Sequence, residues 1–258
     1  MPAAAVNIAM PRSACTARLL IWSIAALCMA PLAARADNLT PDQRKEFEGI
    51  VHDYLVDHPE VLLEAIQAVG DKQKNAADGT AATVLKDRRQ EVVNDPQSPV
   101  AGSPKGDVTL VEFFDYRCAY CKKTEPSLEQ LLADDHQLRL VYKEFPLLGP
   151  TSEIAAHAAL AARLQGKYDA FHGAMMAAQG NIDDAAIYGV ASSVGLDLDR
   201  LKQDMNSTDI DQQLKANLAL GKALNIPGTP AFVIADQIVP GALDLASLKR
   251  LITTARGE

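Results

Sequence analysis

Apolar residues fall into three regimes along the chain. The first is the unbroken run Leu19–Ala30 (LLIWSIAALCMA), preceded by Arg12 and Arg18 and closed by Pro31 and Arg35. It is short for the roughly 20 residues that a membrane-spanning helix needs. Ala34-Arg35-Ala36 carries small residues at the two positions a signal peptidase reads. Residues 1–36 are therefore read as a signal peptide cleaved before Asp37, which makes the protein an exported one without stable membrane insertion.

The second regime has helical spacing. Thr40-Pro41 resembles a helix start, with Thr40 as the N-cap and Pro41 at the first helical position. Phe47, Ile50, Val51, Tyr54 and Leu55 then recur at three- and four-residue steps. Asp57-His58-Pro59 breaks this helix, and Val61, Leu62, Ala65, Ile66 and Val69 mark one face of a second. Beyond Gly70 the chain turns polar, and helix is expected to recover over Ala81–Val93. Residues 37–93 hold apolar faces but too little chain to bury them alone. Packing on the rest of the chain and packing on copies of itself are equally open from pattern alone.

Asn94–Gly106 (NDPQSPVAGSPKG) has three prolines, two glycines and no periodicity, and reads as a linker. The third regime follows it over residues 107–258. Asp107–Asp115 (DVTLVEFFD) reads as a buried strand and Cys118 to about Asp134 as a helix containing Pro126. Gln137–Phe145 reads as a second strand. A long helical region spans about 151–224, with breaks near Gly166, Gly180 and Gly195. Ala231–Ala235 and Gln237–Val239 read as short strands, and Asp244–Ala255 as a closing helix. The order β-α-β, helices, β-β-α predicts an α/β fold whose sheet is split by a helical insertion.

Composition narrows the chemistry. The formal charge is −8, and processing removes three arginines and no acids, giving −11. A chain so acidic is not suited to nucleic acid phosphates. Of four cysteines, Cys15 and Cys28 leave with the signal peptide, as does the single tryptophan, Trp22. Cys118 and Cys121 remain, spaced C-x-x-C. A loop that short removes little unfolded-state entropy when closed, so the pair suits exchange chemistry better than stapling. A zinc site would need two further ligands, and His52, His58, His136, His157 and His172 show no paired spacing. Met175 and Met176 sit in an apolar stretch and read as core rather than as copper ligands.

The pair also falls where a strand gives way to a helix. Cys118 at the helix N-terminus would face unsatisfied N–H groups and the positive end of the dipole, which stabilise a thiolate. Arg117, Lys122 and Lys123 would add positive charge. Cys121, one turn on, could attack a mixed disulfide formed at Cys118. Cys118 is thus expected to be the solvent-facing attacking sulfur and Cys121 the shielded resolving one.

FFDYRCAYCKK, Gly228-Thr229-Pro230 before a strand, and the element order together resemble the thioredoxin superfamily, and the helical insertion resembles its DsbA-type branch. The stretch LTPDQRKEFEGIVHDYLVDHPEVLLEAIQAV is similar to the segment preceding this fold in suppressor-of-copper-sensitivity C proteins, some of which are trimers. The resemblance implies a cis-proline loop at Thr229-Pro230, facing the sulfurs and offering backbone to an extended substrate. It also implies that Glu112 is a buried acid that moves the proton of Cys121. No cofactor is implied. The dipeptide Ala119-Tyr120 departs from the C-P-H-C of strong oxidants, whose histidine stabilises the thiolate. On a scale from about −270 mV for thioredoxin to about −120 mV for DsbA, a less oxidising protein than DsbA is expected.

These readings favour a periplasmic disulfide isomerase or reductase acting on unfolded or misoxidised exported proteins. It would be kept reduced by a membrane thiol reductase and assembled as a homo-oligomer, with a trimer favoured. The alternatives are a monomeric dithiol oxidase and a copper-handling protein, since thiolates bind Cu(I) well.

Overall fold

A computed structural model describes residues 39–257, so the expected signal peptide lies outside the described residues. The chain divides into two compact units with the break between Glu64 and Ala65.

The first unit holds helix α1 (Pro41–Asp57) and the start of α2 (Pro59–Asp87). Thr40 caps α1 through a capping box: its Oγ1 accepts from the Gln43 N–H, and the Gln43 side chain accepts from the Thr40 N–H. This satisfies two of the donors left free at a helix start. No residue of α1 is buried. Phe47, Ile50, Val51 and Tyr54 are all exposed, and so are Leu62, Ile66 and Val69 on α2. The stripe expected from the spacing is present, and most of it is exposed among the described residues, with Leu55 and Val61 half-buried.

α2 does not stop at Gly70. It runs unbroken through Gly70 and Gly79 to Asp87, with α3 (Arg89–Val93) following. A single glycine costs a helix about 1 kcal/mol, which neighbouring alanines and buried contacts further along offset. Ala81 and Leu85 are buried, and Leu85 and Val92 join Val111, Phe113, Val141, Phe145 and Leu220 in one cluster of the second unit. The second half of the helical segment therefore forms part of that unit's core.

The second unit is built on a five-stranded sheet in the order β1-β3-β2-β4-β5, comprising β1 (Val100–Gly102), β2 (Val108–Phe114), β3 (Leu138–Glu144), β4 (Ala231–Ile234) and β5 (Gln237–Pro240). β2 and β3 are parallel, joined by α4 (Ala119–Asp134). The other three pairings are antiparallel. Between β3 and β4 come α5 (Pro150–Leu164), α6 (Tyr168–Ala177), α7 (Asp184–Ser193), α8 (Leu198–Met205) and α9 (Thr208–Ala223); α10 (Leu245–Arg256) closes the chain. Gly166, Gly180 and Gly195 have positive φ at the ends of α5, α6 and α7, the backbone state glycine adopts without a Cβ penalty. A further break, between α8 and α9, is made by Ser207 as N-cap.

The segment Asn94–Gly106 is not a loose linker. Val100–Gly102 pairs with Arg139–Val141 as an edge strand. Asp95 accepts from the buried Lys143 Nζ at 2.8 Å and from Ser98 Oγ at 2.7 Å, while Gln213 and Arg163 bind the carbonyls of Gln97 and Pro96. A three-residue strand is too short for a period to show, and its partners lie far away in sequence.

Strand parity divides the core. Successive side chains of a strand face opposite ways, so Leu110, Glu112 and Phe114 share one face of β2 while Val111 and Phe113 share the other. The first face meets α4, α5, α6 and α10 and carries the larger cluster, which contains both described cysteines and Met175 and Met176. α9 lies on the second face, and Gly221 lets it approach: a Cβ there would stand 2.4 Å from the Phe145 ring. Gly221→Ala is expected to destabilise the protein by about 1–3 kcal/mol, the usual cost of overpacking, read from urea unfolding of the reduced chain.

Candidate functional site

β2 ends at Phe114, and the next three residues turn the chain into α4. The Cys118 N–H donates to the Asp115 carbonyl (3.0 Å), and the Arg117 N–H donates to Asp115 Oδ1 (2.8 Å). Cys118 thereby becomes the N-cap of α4, with extended backbone (φ −76, ψ 113). Across the sheet, Ala231 pairs with Phe113, which brings the loop before β4 to the same end. The Thr229–Pro230 peptide bond in that loop is cis, and the Thr229 carbonyl lies 3.2 Å from Cys118 Sγ.

Both sulfurs are free thiols. Cys121 is fully buried; Cys118 is 6% exposed, more covered than the expected solvent-facing sulfur because the Thr229 loop lies against it. The Cys118 pKa falls to about 5. The leading cause is the hydrogen bond from the Cys121 thiol; the Thr229 side chain and the backbone N–H groups of Cys121 and Tyr120 add to it, and burial opposes it. The two backbone donors are the free amides of the helix start. Cys121 moves the other way, pushed up by the bond it gives Cys118, by burial and by the nearby Glu112. One sulfur is thus an anion at neutral pH and the other keeps its proton, the division of labour that exchange requires.

The expected cationic support is absent from this balance. Lys122 Nζ donates to the carbonyls of Met175 (2.8 Å) and Ala178 (2.6 Å), capping the end of α6. The Arg117 guanidinium donates to the Leu148 carbonyl. Hydrogen bonds, rather than neighbouring charge, lower the Cys118 pKa.

Glu112 is fully buried on the cysteine face of β2, and neither carboxyl oxygen has a hydrogen-bond partner. Burial, followed by repulsion from Glu125 and Cys118, pushes its pKa well above the ordinary value. A neutral carboxyl there can exchange a proton with Cys121. Around it lies a group that sequence reasoning missed. Glu125 Oε1 is 3.4 Å from His172 Nε2, and His172 Nδ1 is 3.1 Å from the Tyr116 hydroxyl. Tyr116 and Tyr168 donate to Glu144 Oε1 at 3.2 and 2.9 Å. His172 is enclosed by the rings of Phe114, Tyr116, Tyr142 and Tyr168. Glu125 was not singled out from sequence, although it falls one turn after Cys121 on α4, and nothing local in sequence marked His172 or Glu144.

Comparison with known proteins agrees with this geometry. Residues 109–253 match the DSBA-like thioredoxin domain family, and residues 43–76 match the copper resistance protein ScsC N-terminal domain. A thioredoxin-like oxidoreductase from Silicibacter pomeroyi is 43% identical, covering 66% of this chain and 98% of its own, with a TM-score of 0.65. A linker-deletion mutant of Proteus mirabilis ScsC is 29% identical, covering 86% of this chain and 99% of its own (TM-score 0.66). BcfH of Salmonella enterica Typhimurium is 27% identical, with 84% and 97% covered (TM-score 0.67). Among curated proteins, a Na(+)/H(+) antiporter NhaA of Salinispora arenicola is 30% identical over 165 residues, which is 63% of this chain and 25% of that protein. The chain thus spans about a quarter of the length of the curated relatives it matches.

Proposed function

This chain belongs to the DSBA-like thioredoxin domain family, and we propose that it is a thiol–disulfide oxidoreductase that works in the periplasm, chiefly as a disulfide isomerase and reductase on exported proteins. The observation that carries the reading is the opposed pair: a Cys118 thiolate with a pKa of about 5 beside a Cys121 that keeps its proton.

Cys118 Sγ attacks one sulfur of a client disulfide, a mixed disulfide forms, and the other client sulfur leaves as a thiolate. In isomerisation, a second client thiolate attacks the mixed disulfide and restores Cys118. In net reduction, Cys121 gives up its proton as its sulfur attacks Cys118 Sγ, and the client sulfur leaves and is protonated to a thiol. The neutral Glu112 carboxyl relays the Cys121 proton, releasing its own as it takes the thiol's. The protein then carries the disulfide and needs two electrons from a membrane thiol reductase. A pKa of about 5 lies between the values near 7 for thioredoxin and near 3.5 for DsbA, which supports a role less oxidising than DsbA.

The uncovered apolar faces of α1 and α2 support assembly with other copies of this chain as a trimer, and the match to the ScsC N-terminal domain points the same way. Oligomerisation would keep several dithiols within reach of one client and away from an oxidase that recharges monomers. The test uses the mature chain. It should sediment as a trimer and reactivate scrambled ribonuclease, while Phe47→Asp with Ile50→Asp should sediment as a monomer and lose most isomerisation. Rapid oxidation of reduced peptides by a monomeric wild-type protein would replace this reading with that of a dithiol oxidase. One bound copper equivalent with no turnover of disulfides would overturn it altogether.

A further inference from the structure

The connection between β3 and α5, Phe145–Pro150 (FPLLGP), exposes two adjacent leucines: Leu147 at 43% and Leu148 at 46%. Neither contributes to the core. One side chain ties this connection to the dithiol. Asp115 is 2% exposed, and its two carboxylate oxygens are divided between two tasks. Oδ1 accepts from the Arg117 N–H (2.8 Å) and from Ser152 Oγ (2.8 Å). Oδ2 accepts from the N–H groups of Leu147 (2.8 Å) and Leu148 (3.0 Å). The Asp115 carbonyl meanwhile holds the Cys118 N–H, and the Arg117 guanidinium closes on the Leu148 carbonyl. The backbone that presents Cys118 and the backbone that presents the two leucines are thus fixed to one carboxylate.

Burying a carboxylate costs free energy unless donors satisfy it, and four donors converge here. The Oδ2 half restrains only the backbone of Leu147 and Leu148, whose exposed side chains belong to neither core cluster. It fixes the Leu147–Leu148 backbone to the residue whose carbonyl holds the Cys118 N–H. We infer that Asp115 is a positioning residue that holds Leu147 and Leu148 as an apolar lip at the dithiol, and that this lip receives an apolar side chain next to the cysteine of an unfolded client polypeptide. The inference rests on the exchange chemistry proposed above. A client in mixed disulfide with Cys118 is an extended chain advancing about 3.3–3.6 Å per residue. Residues within a few positions of its cysteine therefore reach the lip, whereas a small disulfide does not.

The geometry defines a selective variant. Asp115→Asn keeps an oxygen for Arg117 and Ser152 but turns an NH2 group toward the two leucine amides, releasing the lip and leaving the turn at Cys118. Leu147→Ser with Leu148→Ser removes the apolar surface itself, at exposed positions on which folding does not depend. The measurement is kcat/KM of the mature protein for two disulfide-bonded peptides, identical except for leucine or serine beside the cysteine. Wild type should favour the leucine peptide by about five-fold or more, carried in KM, as one apolar contact allows. In both variants the ratio should fall toward one, while the pH at which Cys118 becomes reactive stays put. Because the readout is a ratio, loss of folded protein does not move it. A wild-type ratio near one, or a preference that survives the leucine double variant, overturns the lip. A preference retained by Asp115→Asn but lost in the double variant overturns the role of Asp115. No wild-type turnover of either peptide sinks the oxidoreductase reading instead.

Discussion

Replacing Cys118 with serine is expected to abolish disulfide exchange, a loss of more than about 10³-fold in kcat/KM, whereas Cys121→Ser should retain attack and stall at the mixed disulfide. The asymmetry follows from the pKa values. With a pKa of about 5, Cys118 is about 99% thiolate at pH 7, against about 1% for a thiol at the ordinary value of 9.0. A serine hydroxyl at the N-cap of α4 supplies no comparable anion. Cys121 is fully buried and protonated, so it cannot begin the reaction and can only finish it. Iodoacetamide labelling between pH 3 and 8 checks this directly. Cys118 should label with an inflection near pH 5, and Cys121 in the folded protein should not. Labelling of Cys118 no faster than glutathione at pH 7, together with activity in Cys118→Ser, would remove the basis of the mechanism.

The second large effect is on stability. The reduced protein should gain stability over the oxidised one as pH rises from about 5 to 9, by on the order of 5 kcal/mol. The reduced form has Cys118 at about 5 when folded and near 9.0 when unfolded. Between those values the unfolded chain binds the proton that the folded chain has lost, so folding is favoured by about 1.36 kcal/mol per pH unit. The contribution is fully present above 9 and disappears as pH falls through 5. The oxidised protein has no thiol to titrate there and lacks this slope. Glu112 acts with the opposite sign. Its pKa is raised by burial, so the stability of its protonated state is present below the ordinary carboxyl range and is lost as pH rises through the folded value. Burial, the largest cause of the Glu112 shift, is common to both redox forms and cancels in the difference between their urea curves; only the smaller repulsion from the Cys118 thiolate belongs to the reduced form alone. Cys118→Ser should cancel the slope. A reduced-minus-oxidised difference that is flat from pH 5 to 9 would show that Cys118 is not an anion in the folded state. Glu112→Gln should leave the difference in place while flattening the part common to both forms.

Much of the fold was legible because its signals are local. β2 is a run of β-branched and aromatic residues, α1 carries a cap and a stripe, and glycines punctuate the insertion at three of its four breaks. These are matters of backbone preference and period, and they need no partner. The helix that passes through Gly70 and the edge strand Val100–Gly102 were not legible. Their stability comes from contacts of Leu85, Val92, Asp95 and Val100 with residues distant in sequence.

The same division runs through the site. C-x-x-C after a strand, in a chain whose other cysteines fall in a leader-like segment, was enough to assign thiol exchange to Cys118 and Cys121, because thiolate chemistry depends on residue type and on the helix start. Glu112 became a candidate for the buried acid only through the resemblance to the thioredoxin superfamily. Tertiary structure alone decided what sets the thiolate: the Cys121 thiol, the Thr229 side chain and two free amides, with Lys122 turned away to α6. It alone enclosed His172 in aromatic rings and joined Asp115 to Leu147 and Leu148. The physical reason is range. Period and propensity act over one or two turns of chain, whereas a pKa or a shared carboxylate is set by groups that only folding brings within about 3 Å of each other.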